Sequence, residues 1–152
     1  MTKLDSYGWL PLHQALHDNA SLGAIKLLVK GNHWALRVAD KKVSFPLHIA
    51  CEFSSADVVK FLLELDDVFV NHYDSNKDSI LHYACRGGNC GAVKYLLERH
   101  VSSASERNAD GDLPFHLLCC ARKDKVDRDS VEYVDTIWRL LLAYPMTVRS
   151  FA

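Results

Sequence analysis

The stretch Ile80-Leu-His-Tyr-Ala-Cys-Arg-Gly-Gly88, followed by Val93-Lys-Tyr-Leu-Leu97, decides the fold, because close copies of it stand on both sides. Upstream are Phe45-Pro-Leu-His-Ile-Ala-Cys51 with Val59-Lys-Phe-Leu-Leu63, and before them Leu10-Pro-Leu-His-Gln-Ala-Leu16 with Ile25-Lys-Leu-Leu-Val29. Downstream, Leu113-Pro-Phe-His-Leu-Leu-Cys119 is followed, after an insertion, by Ile137-Trp-Arg-Leu-Leu141. The central histidines, His13, His48, His82 and His116, lie 35, 34 and 34 residues apart. A fixed period of about 20 to 50 residues marks a stacked solenoid, in which each slice packs only on its neighbours.

Each copy reads as two short helices. Pro11 fits a first helical turn, where its missing N–H costs nothing, and Leu12, Ala15 and Leu16 supply the buried stripe. The second helix of the first copy spans about 22–30, and Gly31 is expected to close it in the left-handed conformation. Gly87-Gly88 separates the helices of the third copy, and Leu96 repeats the positions of Leu28, Leu62 and Leu140. In the fourth copy the packing block starts 44 residues after Val93, so ten residues are inserted. The insertion takes in Arg122-Lys-Asp-Lys-Val-Asp-Arg-Asp129, seven charged residues in eight, which reads as a surface loop contributing little to stability. Ser130 is placed to cap a lengthened last helix, and Pro145 to end it.

The repeat resembles the ankyrin repeat, with its Thr-Pro-Leu-His-x-Ala signature and a second helix ending in a Leu-Leu pair. The likeness covers residues 8–145, and the wording of these copies is also similar to ankyrin-repeat proteins of diatoms. It implies an all-α solenoid of four helix-turn-helix units over one domain, 1–152, with repeats at about 8–43, 44–77, 78–111 and 112–145 and a tail at 146–152. The connections become fingers, each reversing through two short extended arms. Trp34, Leu36 and Val38 in the first finger either tuck against the helices or lie on the surface. The family's histidine is structural, and that role is carried to His13, His48, His82 and His116. The motif threonine is replaced by Leu10, Phe45, Ser79 and Leu113, so its hydroxyl is lost in three copies.

Composition narrows the function. With 49% hydrophobic and 24% charged residues, the chain is neither disordered nor membrane-like, and no apolar run is long enough to span a bilayer. A formal net charge of −1 without a run of basic residues argues against nucleic acid. Of five cysteines, Cys51, Cys85 and Cys119 share one repeat position and read as small core residues in a reducing cytoplasmic or nuclear setting. Cys90 falls at a helix start, where a thiol pKa can be depressed.

No catalytic set emerges. Helices of adjacent units pack about 8–10 Å apart, whereas zinc holds imidazoles at about 2.0–2.1 Å, so the repeated histidines cannot share an ion. Asp124, Asp127 and Asp129 lack the glycine and terminal glutamate of a calcium loop. Neither metal nor cofactor is expected, and no enzymatic activity. The resemblance implies recognition of a still unidentified protein partner on the concave face, and aromatic and arginine residues concentrate binding energy. Trp34 and Tyr73 in the fingers, with Tyr83 and Arg86 on a first helix, are the candidate contacts. The alternative is a structural or terminal piece of a longer array without a partner of its own. The oligomeric state is not legible.

Overall fold

The computed structural model describes residue 6, residues 8–121 and residues 126–143. The expectations for Arg122 to Lys125, Pro145 and the tail 146–152 lie outside these residues.

Among the described residues eight α-helices follow one another in pairs: α1 (Pro11–His17) and α2 (Leu22–Lys30), α3 (Pro46–Phe53) and α4 (Ala56–Leu65), α5 (Ile80–Arg86) and α6 (Cys90–Arg99), α7 (Pro114–Cys119) and α8 (Val131–Ala143). The first helices form one row, α1 on α3 on α5 on α7, and the second helices another, α2 on α4 on α6 on α8. Between the rows runs the core strip. Leu16, Ile25, Val59, Leu62, Leu81, Val93, Leu96, Leu118 and Leu140 are all essentially without solvent contact.

Pro11, Pro46 and Pro114 each occupy the first turn of a helix. The histidine three residues after each N-cap reaches back to it. Nδ1 of His13, His48, His82 and His116 accepts the backbone N–H of Leu10, Phe45, Ser79 and Leu113 at 3.0, 3.2, 3.1 and 3.0 Å. This is half of a capping box, with imidazole in place of the usual glutamate. Only at Ser79 is the other half present, its hydroxyl accepting the His82 N–H at 3.3 Å.

The far nitrogens join one pair to the next. His48 Nε2 lies 3.0 Å from the His72 carbonyl, and His82 Nε2 lies 2.9 Å from the Asp112 carbonyl. Because Nδ1 must accept, the proton sits on Nε2 and the ring is neutral. Burial is the main cause holding both rings below the ordinary histidine range.

At the opposite ends of the first helices, orphan carbonyls are covered by the neighbouring pair. Ser54 Oγ donates to the Leu16 carbonyl at 2.8 Å, and Asn89 Nδ2 donates to those of Cys51 and Ser54 at 3.2 and 2.7 Å. At the end of α7 it is Arg128, from the connection to α8, that donates to the carbonyls of Cys119 and Ala121, at 3.1 and 2.9 Å. Val126 is buried with Ala121, Cys90 and Tyr133. Val126 and Arg128 thus tie the end of the charged insertion to the fold, while Asp127, Arg128 and Asp129 are exposed, as expected of a surface loop. Ser130 caps α8 as expected, accepting the Tyr133 N–H at 3.1 Å.

The fingers differ from the extended arms expected. No strand occurs among the described residues, and two fingers begin with 3-10 helices, His33–Arg37 and Val101–Ser105. Tucking is split within the first finger: Ala35 and Leu36 are buried while Trp34 is 48% exposed. Gly31 ends α2 with φ −96°, in the right-handed region, so left-handed closure is corrected there. Asn19 and Gly88, equivalent turn positions, do take positive φ, at 55° and 66°.

Candidate functional site

Three fingertips close by one device, set by residues spaced 34 apart: Asp40, Asp74 and Asn108. The side-chain Oδ1 of each accepts two backbone N–H groups. Asp40 holds Lys42 and Ser44 at 2.8 and 2.9 Å, Asp74 holds Asn76 and Asp78 at 2.9 Å each, and Asn108 holds Asp110 and Asp112 at 3.0 and 2.9 Å. Val43, Lys77 and Gly111 take positive φ three residues on. Adjacent tips are laced together, Ser75 N–H to the Lys42 carbonyl at 2.8 Å and Ala109 N–H to that of Asn76 at 2.9 Å. Such loops present side chains from a fixed backbone, which lowers the ordering cost of binding.

The second side-chain atom of each tip residue reaches beneath. Trp9 Nε1 donates to Asp40 Oδ2 at 3.0 Å, the Tyr83 hydroxyl donates to Asp74 Oδ2, and Asn108 Nδ2 donates to Asp78 Oδ1 at 2.8 Å. Ser44 Oγ lies 2.7 Å from the Tyr83 hydroxyl, and Arg86 donates to Asp78 Oδ2. Burial and the Asp74 hydrogen bond push the Tyr83 phenol far up, so it stays a donor. Burial alone would raise the Asp78 carboxyl, but the bonds from Arg86 and Asn108 hold it below its usual range.

The four candidate contacts therefore separate. Tyr83 is only 6% exposed, beneath the second fingertip, which corrects its reading as a reachable position. It positions the tip instead. Arg86 lies beside it, its guanidinium 5.2 Å from the Tyr83 ring centroid and 3.8 Å from Glu52. Tyr73 is 44% exposed, and its hydroxyl donates to Glu106 at 2.9 Å, which raises the phenol pKa. Trp34 is exposed too, but it lines a groove with Leu63 and Asp66 at the end of α4, away from the fingertips. The structure brings together Tyr83 and Arg86 alone.

A different aromatic group stands on the finger side. Trp9 and His17 have ring centroids 5.1 Å apart, and His17 and Phe53 are 4.3 Å apart, so the three rings form a partly exposed ladder across α1 and α3. Trp9, Gln14, His17, Asp40, Lys41 and Lys42 line one hollow there. The sequence offered a faint signal, His17 one turn after His13, but Trp9 precedes the first helix and Phe53 comes from the next repeat.

Cys51 and Cys85 are fully buried, and desolvation pushes both thiols up. Burial also raises Cys90, overturning the idea of a helix-start thiolate. Among the described residues no group of three His, Cys, Asp or Glu side chains is arranged to hold a metal ion. No helix among them is long and apolar enough to cross a membrane.

Residues 47–97 match the family model for ankyrin repeats (many copies). The matched region is the two central helix pairs, and the assignment it supports is the general ankyrin repeat rather than a diatom variant. No curated protein matches the chain.

Proposed function

We propose that this chain is an ankyrin-type solenoid of four helix-turn-helix units whose concave, finger-side face binds a peptide segment of another protein. The ankyrin match over the central pairs supports it at the level of fold, and fold alone does not assign a partner. The observation that carries the proposal is the Trp9, His17, Phe53 ladder beside Lys41 and Lys42. Rigid aromatic rings offer large contact area at little entropic cost, and the flanking lysines favour a carboxylate. The partner segment accordingly carries an aromatic or aliphatic anchor next to acidic residues. Arg86 and Tyr73 extend this surface, while Trp34 reaches a partner only around the rim. The proposed setting is a reducing compartment, cytoplasm or nucleus, in keeping with Cys51, Cys85 and Cys119 recurring at one repeat position.

Selection of a random displayed peptide library on the immobilised chain tests this. Selected peptides are expected to share an apolar anchor flanked by Asp or Glu. His17→Ala and Lys42→Glu, both on the surface, are expected to weaken them at least tenfold, about 1.4 kcal/mol, with an unchanged circular-dichroism spectrum. Peptides that bind both variants with full affinity would contradict the assignment.

A further inference from the structure

The two ends of the stack carry apolar side chains where the interior carries a repeated lysine and aromatic pairing. Lys26 Nζ lies 5.5 Å from the ring centroid of Phe61, and Lys60 Nζ lies 5.5 Å from that of Tyr95. In each case the lysine follows the first residue of its packing block, and the ring stands 35 residues on, in the next second helix. Lys94 comes next in the row. Arg139 holds the aromatic position facing it, and Asp135 bridges the two cations, 3.3 Å from Lys94 and 2.9 Å from Arg139.

After Lys94 the row reaches Trp138, 60% exposed. Val134 and Leu142, one turn to either side, are 46% and 72% exposed, and Val131 is 85% exposed. The matching stripe on α6 is Cys90, Lys94 and Glu98, and its Cys90 is covered by the α8 pair. The outward face of α8 is thus the face on which α6 receives α8, one step further along, but apolar instead of polar. Repeats whose outer side faces water carry a polar face there, and the outward face of α8 is instead apolar.

At the opposite end, Leu27 holds the position of Phe61 and Tyr95 and is 75% exposed. Beside it Pro11, Leu28, Asn32 and Trp34 line a shallow hollow. The outermost lysine position is thus a tryptophan, and the outermost aromatic position an exposed leucine.

We propose that copies of this chain stack head to tail, α8 of one copy against α2 of the next, with Trp138 lying over the partner copy's Leu27 position. The joint continues the α2, α4, α6, α8 row in the same register. It uses a different surface from the peptide-binding face and does not rest on that reading. Such a contact joins two different faces and does not close on itself, so it builds open arrays rather than a sealed dimer.

Sedimentation velocity of the chain in reductant, from about 1 μM to 1 mM, spans weak to moderate association. The expected result is a weight-average mass that rises with concentration past that of a dimer. Trp138→Lys, which restores the residue of the other three repeats, and Leu27→Lys are each expected to weaken self-association at least tenfold. Mixed in equal amounts, the two variants retain one intact α8 face and one intact α2 face between them. They are expected to form a dimer that grows no further. Should Trp138→Lys lower the helical signal, Leu142→Lys on the same face replaces it. A chain monomeric at the highest concentration overturns the proposal, as does either variant associating like the parent, or a mixture that stays monomeric.

Discussion

Gly87, at the end of α5, sits close against the backbone of α3, so adding one methyl group there carries a definite cost. A Cβ at Gly87 would stand 2.0 Å from the Glu52 carbonyl oxygen, 2.8 Å from its carbon and 2.9 Å from its Cα. The obstacle is backbone, so no rotamer change relieves it, and α3 and α5 must separate by roughly 1 Å. Overpacking costs about 1–3 kcal/mol, occasionally more, and a backbone clash belongs at the upper end. The φ at Gly87 is −76°, which alanine adopts freely, so the lower entropy of the unfolded chain returns about 0.4–1 kcal/mol. The net loss expected for Gly87→Ala is about 2–3 kcal/mol, or roughly 4–12 °C in Tm for a chain of this size. Gly31 is the control: a Cβ there meets nothing within 4 Å, and its φ is also negative. Gly31→Ala is expected to stabilise by about 0.4–1 kcal/mol. Urea unfolding followed by far-UV circular dichroism reads both. A Gly87→Ala loss below about 1 kcal/mol, or equal effects at the two sites, would refute the packing of α5 on α3.

Leu96 is 1% exposed in the core strip, and Leu96→Ala is expected to cost about 2–5 kcal/mol; a change below about 1 kcal/mol in the same titration would break the register. Tyr83→Phe leaves the Asp74 carboxylate and Ser44 hydroxyl without their shared partner, an expected loss of about 1–3 kcal/mol, and stability equal to the parent's would show that the fingertip does not need it. His48 and His82 are neutral in the fold, with pKa values below the unfolded 6.5, so the unfolded chain binds protons first as pH falls. Their contribution is complete above about pH 6.5 and is lost as pH drops from there through the depressed folded values. The urea midpoint is expected to decline over that window, and His82→Gln to flatten the decline; a midpoint constant from pH 7 to 5 would contradict the neutral tautomer.

The helix pairs were legible because each solves the same packing problem with the same residues. A Pro-Leu-His start and a Leu-Leu finish recur at a fixed period, and periodicity survives a change of individual letters such as Thr to Leu10 or Phe45. The fingers were not legible as 3-10 turns, since i to i+3 bonds such as Ala35 N–H to the Asn32 carbonyl leave no periodic apolar signature. The series Asp40, Asp74, Asn108 was present in the sequence at the same spacing as the histidines. Its role is not legible there because its partners, Trp9 and Tyr83, come from elements that only the stack brings near. The same holds for Tyr83 itself. An aromatic on a first helix looks available until the fingertip that folds over it is known. The Trp9, His17 and Phe53 ladder has one member before α1, one on it and one on α3, so no local pattern joins them.

Hydrogen–deuterium exchange of the chain with and without a library-selected peptide tests the central functional claim most directly. Slowed exchange is expected in the segment around Trp9, in 14–18, in the fingertip 41–44 and around Phe53, with α4, α6 and α8 unchanged. Protection confined to the second helices, with the fingertips exchanging as in the free protein, would contradict it.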